Sequence, residues 1–147
     1  MEADAYADSS FLVSLLRADS NHEAAMRYMV VRGETLAFNP LHRLELRNAL
    51  RSAQALGQIT ENERRTAFRE IEQDLQAGLL IYTRVSWTDV FRLADELSDK
   101  HSGNQGQRTI DLLHVALAIE CGAKTFLSFD RRQRNLAKAA NLTVKPS

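Results

Sequence analysis

Residues 108–142, RTIDLLHVALAIECGAKTFLSFDRRQRNLAKAANL, decide how this chain folds. The spacing predicts a helix that opens at Thr109 and stops at Gly122, a short strand over 124–129, and a second helix after Asp130. At about 100° per residue, the first helix is apolar nearly all round, through Leu112, Leu113, Val115, Ala116, Leu117, Ala118, Ile119 and Cys121. Such a helix is buried on most sides. Asp111 nevertheless falls between Val115 and Ala118 on the wheel. A carboxylate held there must be paired, protonated or bound to a metal, because an isolated buried charge is too costly. Asp130 closes the following strand, at the edge where open α/β sheets bind their ligands.

Outward from this stretch, strands alternate with one or two helices. Residues 5–8 form a short, Ala-rich strand, and Asp8, Ser9 and Ser10 offer N-cap groups for a helix over 11–17. A helix over 21–32 ends at Gly33, a strand follows over 35–38, and Asn39-Pro40 opens a helix that runs to Leu56 and stops at Gly57. Thr60 and Glu63 make a capping box for a helix that ends near Gly78. Residues 79–85, LLIYTRV, are the most regular strand in the chain. A capped helix over 88–101, a flexible loop over 102–107 and a last strand over 142–145 complete the pattern. This alternation predicts an α/β fold with right-handed crossovers and a mostly parallel sheet covered on both faces. The helix pair over 40–77 exceeds what one crossover needs, and suits a projecting hairpin or a dimer contact.

Composition narrows the class. The chain has 147 residues, 44% hydrophobic and 26% charged, which suits one domain over 1–147 with a sizeable core. Nineteen basic and nineteen acidic residues cancel, so net charge neither argues for a nucleic-acid partner nor excludes a local basic rim. The single cysteine, Cys121, reads as a small core hydrophobe and rules out a disulfide framework. No signal peptide and no membrane-spanning run are visible, which predicts a cytoplasmic protein without membrane contact.

Four acids carry the chemistry. Asp8 and Asp130 each stand between a strand and a helix, where an N-cap is the plain reading. Asp111 sits in a first helical turn, which favours any acid, but its apolar surroundings ask for more. Glu45 lies in PLHRLELRNALRSAQAL between Leu41 and Ala49, beside the apolar arc of Leu46, Ala49, Leu50, Ala53 and Leu56. The exposed side of that helix is already occupied by Arg43, Arg47 and Arg51. Asp8, Asp111 and Asp130 fall where the carboxyl edge of a parallel sheet gathers residues from distant parts of a chain. Clustered carboxylates raise one another's pKa unless a cation is present. Oxygen-only donors select a hard ion, Mg²⁺ or Mn²⁺, over zinc, and such an ion on carboxylates suits phosphodiester hydrolysis.

Asp8-Ser9-Ser10, LHRLELRNAL with Glu45, RTIDLLHVALA with Asp111 and FLSFDRRQ with Asp130 together resemble the PIN-domain nucleases, and most of all the toxin ribonucleases of VapBC toxin–antitoxin systems. The likeness spans the chain and keeps the acids in the family's order. It implies a three-layer α/β/α fold, a Mg²⁺-dependent endoribonuclease leaving 5′-phosphate and 3′-hydroxyl ends, a homodimer, and a cognate antitoxin protein that blocks the site. By motif, Asp8, Glu45, Asp111 and Asp130 would be the metal ligands. Ser9 or Ser10 and Ser128 match hydroxyl positions that support the acids or a phosphate. Where many relatives carry an extra acid after the last one, this chain has Arg131 and Arg132.

Arg43, Arg47, Arg108, Arg131, Arg132 and Arg134 flank the acidic motifs and are candidates for the RNA backbone, with Arg108 foremost and a solvated helix face the plain reading for any one. His114 reads as a hydrogen-bonded core residue beside the site, and Trp87 as a packing residue. His42-x-x-Glu45 has the wrong order and Asp111-x-x-His114 the wrong acid for di-iron Glu-x-x-His pairs. The two histidines also allow metal-free acid–base cleavage, which a chelator would not stop. Two other classes stay open: a non-catalytic PIN-like binding module, and a phosphate-accepting receiver domain. The absence of an acid after LLIYTRV counts against the receiver.

Overall fold

A computed structural model describes residues 2–101, 103 and 106–147. Its elements run β1 (Ala5–Ala7), α1 (Ser9–Leu16), α2 (His22–Arg32), β2 (Leu36–Phe38), α3 (Pro40–Ala55), α4 (Glu61–Ala77), β3 (Leu80–Tyr82), α5 (Trp87–His101), α6 (Thr109–Glu120), β4 (Thr125–Leu127), α7 (Arg131–Ala139) and β5 (Thr143–Lys145). The sheet order is β3-β2-β1-β4-β5 and every pairing is parallel. The loop expected over 102–107 lies in part, at Ser102, Asn104 and Gln105, outside the described residues.

The pleat divides the core in two. Successive strand residues point to opposite faces, so Tyr6, Ala37, Phe126 and Val144 pack with Val90, Ala94, Val115 and Leu136 of α5, α6 and α7. Ala5, Ala7, Leu36, Phe38, Leu80 and Leu127 pack with Phe11, Tyr28, Leu46 and Ile71 of α1 to α4. Helices therefore cover both faces, which is the three-layer α/β/α architecture. β1 is alanine at both ends because it lies in the middle of the sheet, where helices press closely on either side. No helix among the described residues is long and apolar enough to cross a membrane.

The strands are shorter than their sequence pattern suggests. LLIYTRV pairs only over Leu80–Tyr82. It is an edge strand whose one neighbour, β2, ends at Phe38, so no ladder exists to extend it. Leu79 and Tyr82 are each about half exposed. Helix ends follow local chemistry more closely. Gly33 and Gly78 take left-handed C-cap conformations (φ 60° and 77°), which cost glycine little. At the start of α4, the Glu63 N–H donates to the Thr60 hydroxyl (3.1 Å) and the Thr60 N–H to the Glu63 carboxylate (2.9 Å). Thr60→Ala is expected to cost about 1 kcal/mol, read as a lower urea midpoint with an unchanged m-value.

The helix pair α3–α4 is part of the β2-to-β3 crossover. α4 buries Ala67 and Ile71 in the core, so it is packed onto the domain rather than projecting from it.

Candidate functional site

The topology places the site before any side chain is considered. From β1 the chain crosses to β2 on one side, while β4 pairs on the other. The carboxyl ends of β1 and β4 therefore flank a switch point, where parallel sheets open a crevice. Asp8 follows β1, Ser128 follows β4, and the Asp8 N–H donates to the Leu127 carbonyl (3.0 Å). A cleft of about 250 Å³ at this edge is lined by Asp8, Ser9, Ser10, Glu45, Arg108, Ile110, Asp111, His114, Asp130 and Gln133. All four acids singled out in the sequence thus reach one hollow. Two other hollows share none of these residues.

Asp8 is both a helix cap and a site residue. Its Oδ1 accepts from the Phe11 N–H (2.8 Å) and the Ser10 hydroxyl (2.9 Å), and its Oδ2 from the Ser128 hydroxyl. Burial pushes its carboxyl above the ordinary range, against the pull of these donors and of His114. Asp130 likewise caps α7 through the Gln133 N–H (2.9 Å), so both residues cap a helix while lining the cleft.

Asp111 is 3% exposed and is answered by Arg108. The guanidinium makes a bidentate contact, Nε to Oδ2 at 2.8 Å and Nη2 to Oδ1 at 3.1 Å. It also lies 3.7 Å from Asp130 Oδ2. The Gln133 side chain donates to the Asp111 carbonyl (2.9 Å), tying α7 to α6 beneath the cleft.

Glu45 reaches over from α3. Its Oε1 accepts from the Ser9 hydroxyl (2.6 Å) and pairs with His114 Nε2 (2.5 Å). Burial alone would raise this carboxyl, but His114, Ser9 and Arg108 outweigh it and hold Glu45 below the usual range. Ser9 donates to Glu45 and Ser128 to Asp8, so both hydroxyls support acids, one of the two roles their positions suggested.

The donor set is one of carboxylate oxygens, suited to a hard divalent cation. As the side chains stand, no three His, Cys, Asp or Glu among the described residues are grouped to hold a metal ion. The reason is visible in the contacts: Arg108 already supplies a cation between Asp111 and Asp130, and both oxygens of Asp8 face protein donors. The acids are chemically apt for a metal, and Arg108 holds the positive charge beside Asp111 in this structure.

Several arginines expected on the RNA backbone are committed elsewhere. Arg43 pairs with Glu72 (2.6 Å) and donates to the Tyr82 hydroxyl. The guanidinium carbon of Arg47 lies 4.3 Å from the Phe68 ring centre, with Arg51 and Arg64 at 5.3 and 5.0 Å. Arg43, Arg47 and Arg51 of α3 and Arg64 of α4 thus meet between the two helices and β3, where cation–π contact covers an aromatic ring. Arg134 donates to the Ser128 carbonyl (2.7 Å). Arg131 and Arg132 stay exposed in the first turn of α7. Trp87, read as a packing residue, is 37% exposed, because it opens α5 on the solvent side. Cys121 is half-buried against the α5–α7 core.

Three residues that contact the site's side chains or backbone were not singled out for it in the sequence: Tyr6, bonded to His114; Asn39, bonded to Tyr6; and Gln133, bonded to Asp111. Tyr6 between two alanines in a central strand was the one available signal, since a phenol in a core strand needs a partner for its hydroxyl.

Residues 5–139 match the PIN domain family model, so this chain belongs to the PIN domain family. That sets aside the receiver reading. The backbone is similar to the crystal structure of Mycobacterium tuberculosis VapC20, a Sarcin-Ricin loop cleaving toxin, with a TM-score of 0.69 and 17% identity over 97% of this chain and 99% of that one. FitAcB from Neisseria gonorrhoeae (TM-score 0.67, 15% identity, 97% and 96% covered) and VapBC2 from Rickettsia felis bound to a DNA fragment from their promoter (0.63, 12%, 96% and 96%) share the fold as well. At such identities the likeness is one of fold. No curated protein matches the chain.

Proposed function

We propose that this chain is a metal-dependent endoribonuclease, the toxin of a toxin–antitoxin pair, with the whole chain as one nuclease domain. The observation that carries the reading is the meeting of Asp8, Glu45, Asp111 and Asp130, from four separate parts of the sequence, in one cleft at the carboxyl edge of a parallel sheet. Clustered carboxylates disfavour one another's ionisation unless positive charge is near, and Arg108 reaches Asp111 and Asp130 while a divalent ion could serve all four.

Asp8, Glu45 and Asp111, with Asp130 at the rim, would hold Mg²⁺ or Mn²⁺. When bound, such an ion polarises a phosphodiester and acidifies water. The chain's own groups do the rest. Asp8 is fixed by three donors and cannot swing away. Glu45 lines the cleft and keeps Oε2 without a hydrogen-bond partner among the described residues, which leaves that oxygen available to a cation. Arg108, whose side chain is 56% exposed, is free to exchange Asp111 for a substrate phosphate, to which its planar fork is well matched. That exchange would uncover Asp111 as substrate arrives.

The partner reading draws on FitAcB and VapBC2, whose names describe two-component assemblies. A cognate antitoxin is proposed on that basis, and a homodimer on the resemblance to the VapBC toxins. The Arg108–Asp111 pair is also the observation that favours a rival, a non-catalytic PIN-like module in which the arginine permanently replaces the cation.

One experiment separates the two. Purified protein is incubated with single-stranded RNA, with Mg²⁺ and with a chelator. Cleavage leaving 5′-phosphate ends, stopped by chelation and restored by added Mg²⁺, is the expected result. Intact RNA at every divalent concentration, together with no rise in melting temperature on adding Mg²⁺, would sink the nuclease reading. Cleavage that persists in chelator would shift the chemistry to the histidines.

A further inference from the structure

We propose that Tyr6 and His114 are positioning residues for Glu45, forming a buried relay that aims its free carboxylate oxygen into the cleft. This rests on the nuclease reading above and names residues that reading does not use.

The relay starts in the middle of the central strand. Tyr6 is fully buried, and its phenol oxygen lies between the Asn39 amide and His114 Nδ1 with one proton to give. Asn39 determines where that proton goes. Its Oδ1 accepts from the His42 N–H (3.0 Å), which leaves its amide Nδ2 to donate to the Tyr6 oxygen (3.3 Å). The phenol proton therefore points at the remaining partner, His114 Nδ1 at 2.7 Å. With Nδ1 accepting, a neutral imidazole carries its hydrogen on Nε2, which faces Glu45 Oε1. Each donor meets an acceptor along the whole path from Asn39 to Glu45, so the backbone of β1 and the N-terminus of α3 dictate the tautomer of a histidine on α6.

The rings are held as firmly as the bonds. His42 stacks on His114 (centroids 5.3 Å apart, 29° between planes) and lies 4.7 Å from the Tyr6 ring. His42 itself is anchored by Nε2 to the Ala7 carbonyl (2.7 Å), one residue before Asp8. A glutamate on a helix has three rotatable bonds and high rotamer freedom. Here the His114 imidazole and the Ser9 hydroxyl both grip Oε1, leaving Oε2 without a hydrogen-bond partner among the described residues, on a side chain that lines the cleft. Outer residues that orient a metal-binding side chain in this way contribute to affinity without touching the ion.

The test uses the full chain and three variants. Tyr6→Phe keeps the ring, which stacks on Phe126 at 5.8 Å, and deletes only the hydroxyl. His114→Ala removes the grip, and His114→Gln restores a donor at a similar reach. Circular dichroism checks folding, titration calorimetry reads Mg²⁺ binding, and RNA cleavage is split into kcat and KM. Tyr6→Phe and His114→Ala are expected to fold, and to weaken Mg²⁺ binding and kcat by about ten- to a hundredfold with KM for RNA little changed. His114→Gln should recover part of the loss. Nitrogen NMR of the wild-type imidazole should show the neutral form protonated on Nε2. Folded variants with wild-type Mg²⁺ affinity and kcat, or a wild-type imidazole protonated on Nδ1, would overturn the relay alone. A wild-type chain that neither binds Mg²⁺ nor cuts RNA overturns the nuclease reading and this proposal with it.

Discussion

An Asp111→Asn protein is expected to fold and to lose RNA cleavage by on the order of a thousandfold, the scale seen when a group that acts in the transition state is removed. Asparagine matches aspartate in shape and keeps one oxygen for Arg108, so packing on α6 changes little. The charge is what disappears. Asp111 is 3% exposed and lies in the first turn of α6, and its loss forfeits a few tenths of a kcal/mol of favourable interaction with the helix dipole. The bidentate, charge-assisted contact with Arg108 is also reduced to one hydrogen bond on a neutral acceptor. The melting temperature without Mg²⁺ should therefore fall modestly, while the increase that Mg²⁺ produces in the wild type should vanish. Asp8→Asn should behave alike, because each of its three donors can still find an oxygen or reorient. Cleavage assayed by gel at saturating Mg²⁺, beside thermal melts with and without the ion, reads both effects. Activity within about fivefold of wild type in both proteins, less than the loss of even one outer-sphere contact, would remove these acids from the chemistry.

Acid should destabilise the fold steeply, and His42 should account for much of it. Burial, with His114 as a neighbour, lowers its pKa from 6.5 to about 3. Between those values the unfolded chain holds a proton that the folded chain does not, so stability rises with pH across the window and falls as pH drops through it. The slope for one such group is about 1.4 kcal/mol per pH unit, an upper limit of about 5 kcal/mol over the window. Glu45 works in the same direction, since its lowered carboxyl favours the folded state only while ionised. Asp8, raised by burial, works against them, because it binds its proton more readily in the folded chain. Urea midpoints measured at pH 7, 5.5 and 4.5 should decline, and His42→Gln, whose amide can still donate to the Ala7 carbonyl, should flatten the decline. Equal slopes in the two proteins would reject this role.

The groups around His42 explain why such a costly residue sits there. Its Nε2 donates to the Ala7 carbonyl, which leaves Nδ1 as a buried acceptor with no partner among the described residues. An unsatisfied buried acceptor is destabilising. What the ring contributes in return is position: it packs between Phe38, Tyr6 and His114 and so links α3 to the central strand directly behind the acids.

Much of this architecture follows from local chemistry. Gly33, Gly78 and the Thr60–Glu63 box mark helix ends because caps are satisfied within a few residues. Strand length did not follow in the same way. LLIYTRV has the composition of a long strand, yet a ladder extends only as far as its neighbour, and neighbours are chosen by topology. The arginines tell the same story. Arg43, Arg47 and Arg51 are spaced as a solvent-facing stripe, but α4 lays Phe68 beside them and Glu72 and Tyr82 complete their contacts.

By itself, the amino-acid order determined the alternation of strands and helices, the burial of α6, and the anomaly of Asp111 within it. Hydrophobic periodicity and the price of a lone buried charge act over one or two helical turns, and both can be read without coordinates. Only the tertiary structure decided that Arg108 answers Asp111, that Ser9 grips Glu45 rather than facing outward, and that Tyr6 reaches His114 across 108 positions of sequence. A hydrogen bond depends on angstroms between side chains, and separation along a chain carries no such distance until the sheet has closed.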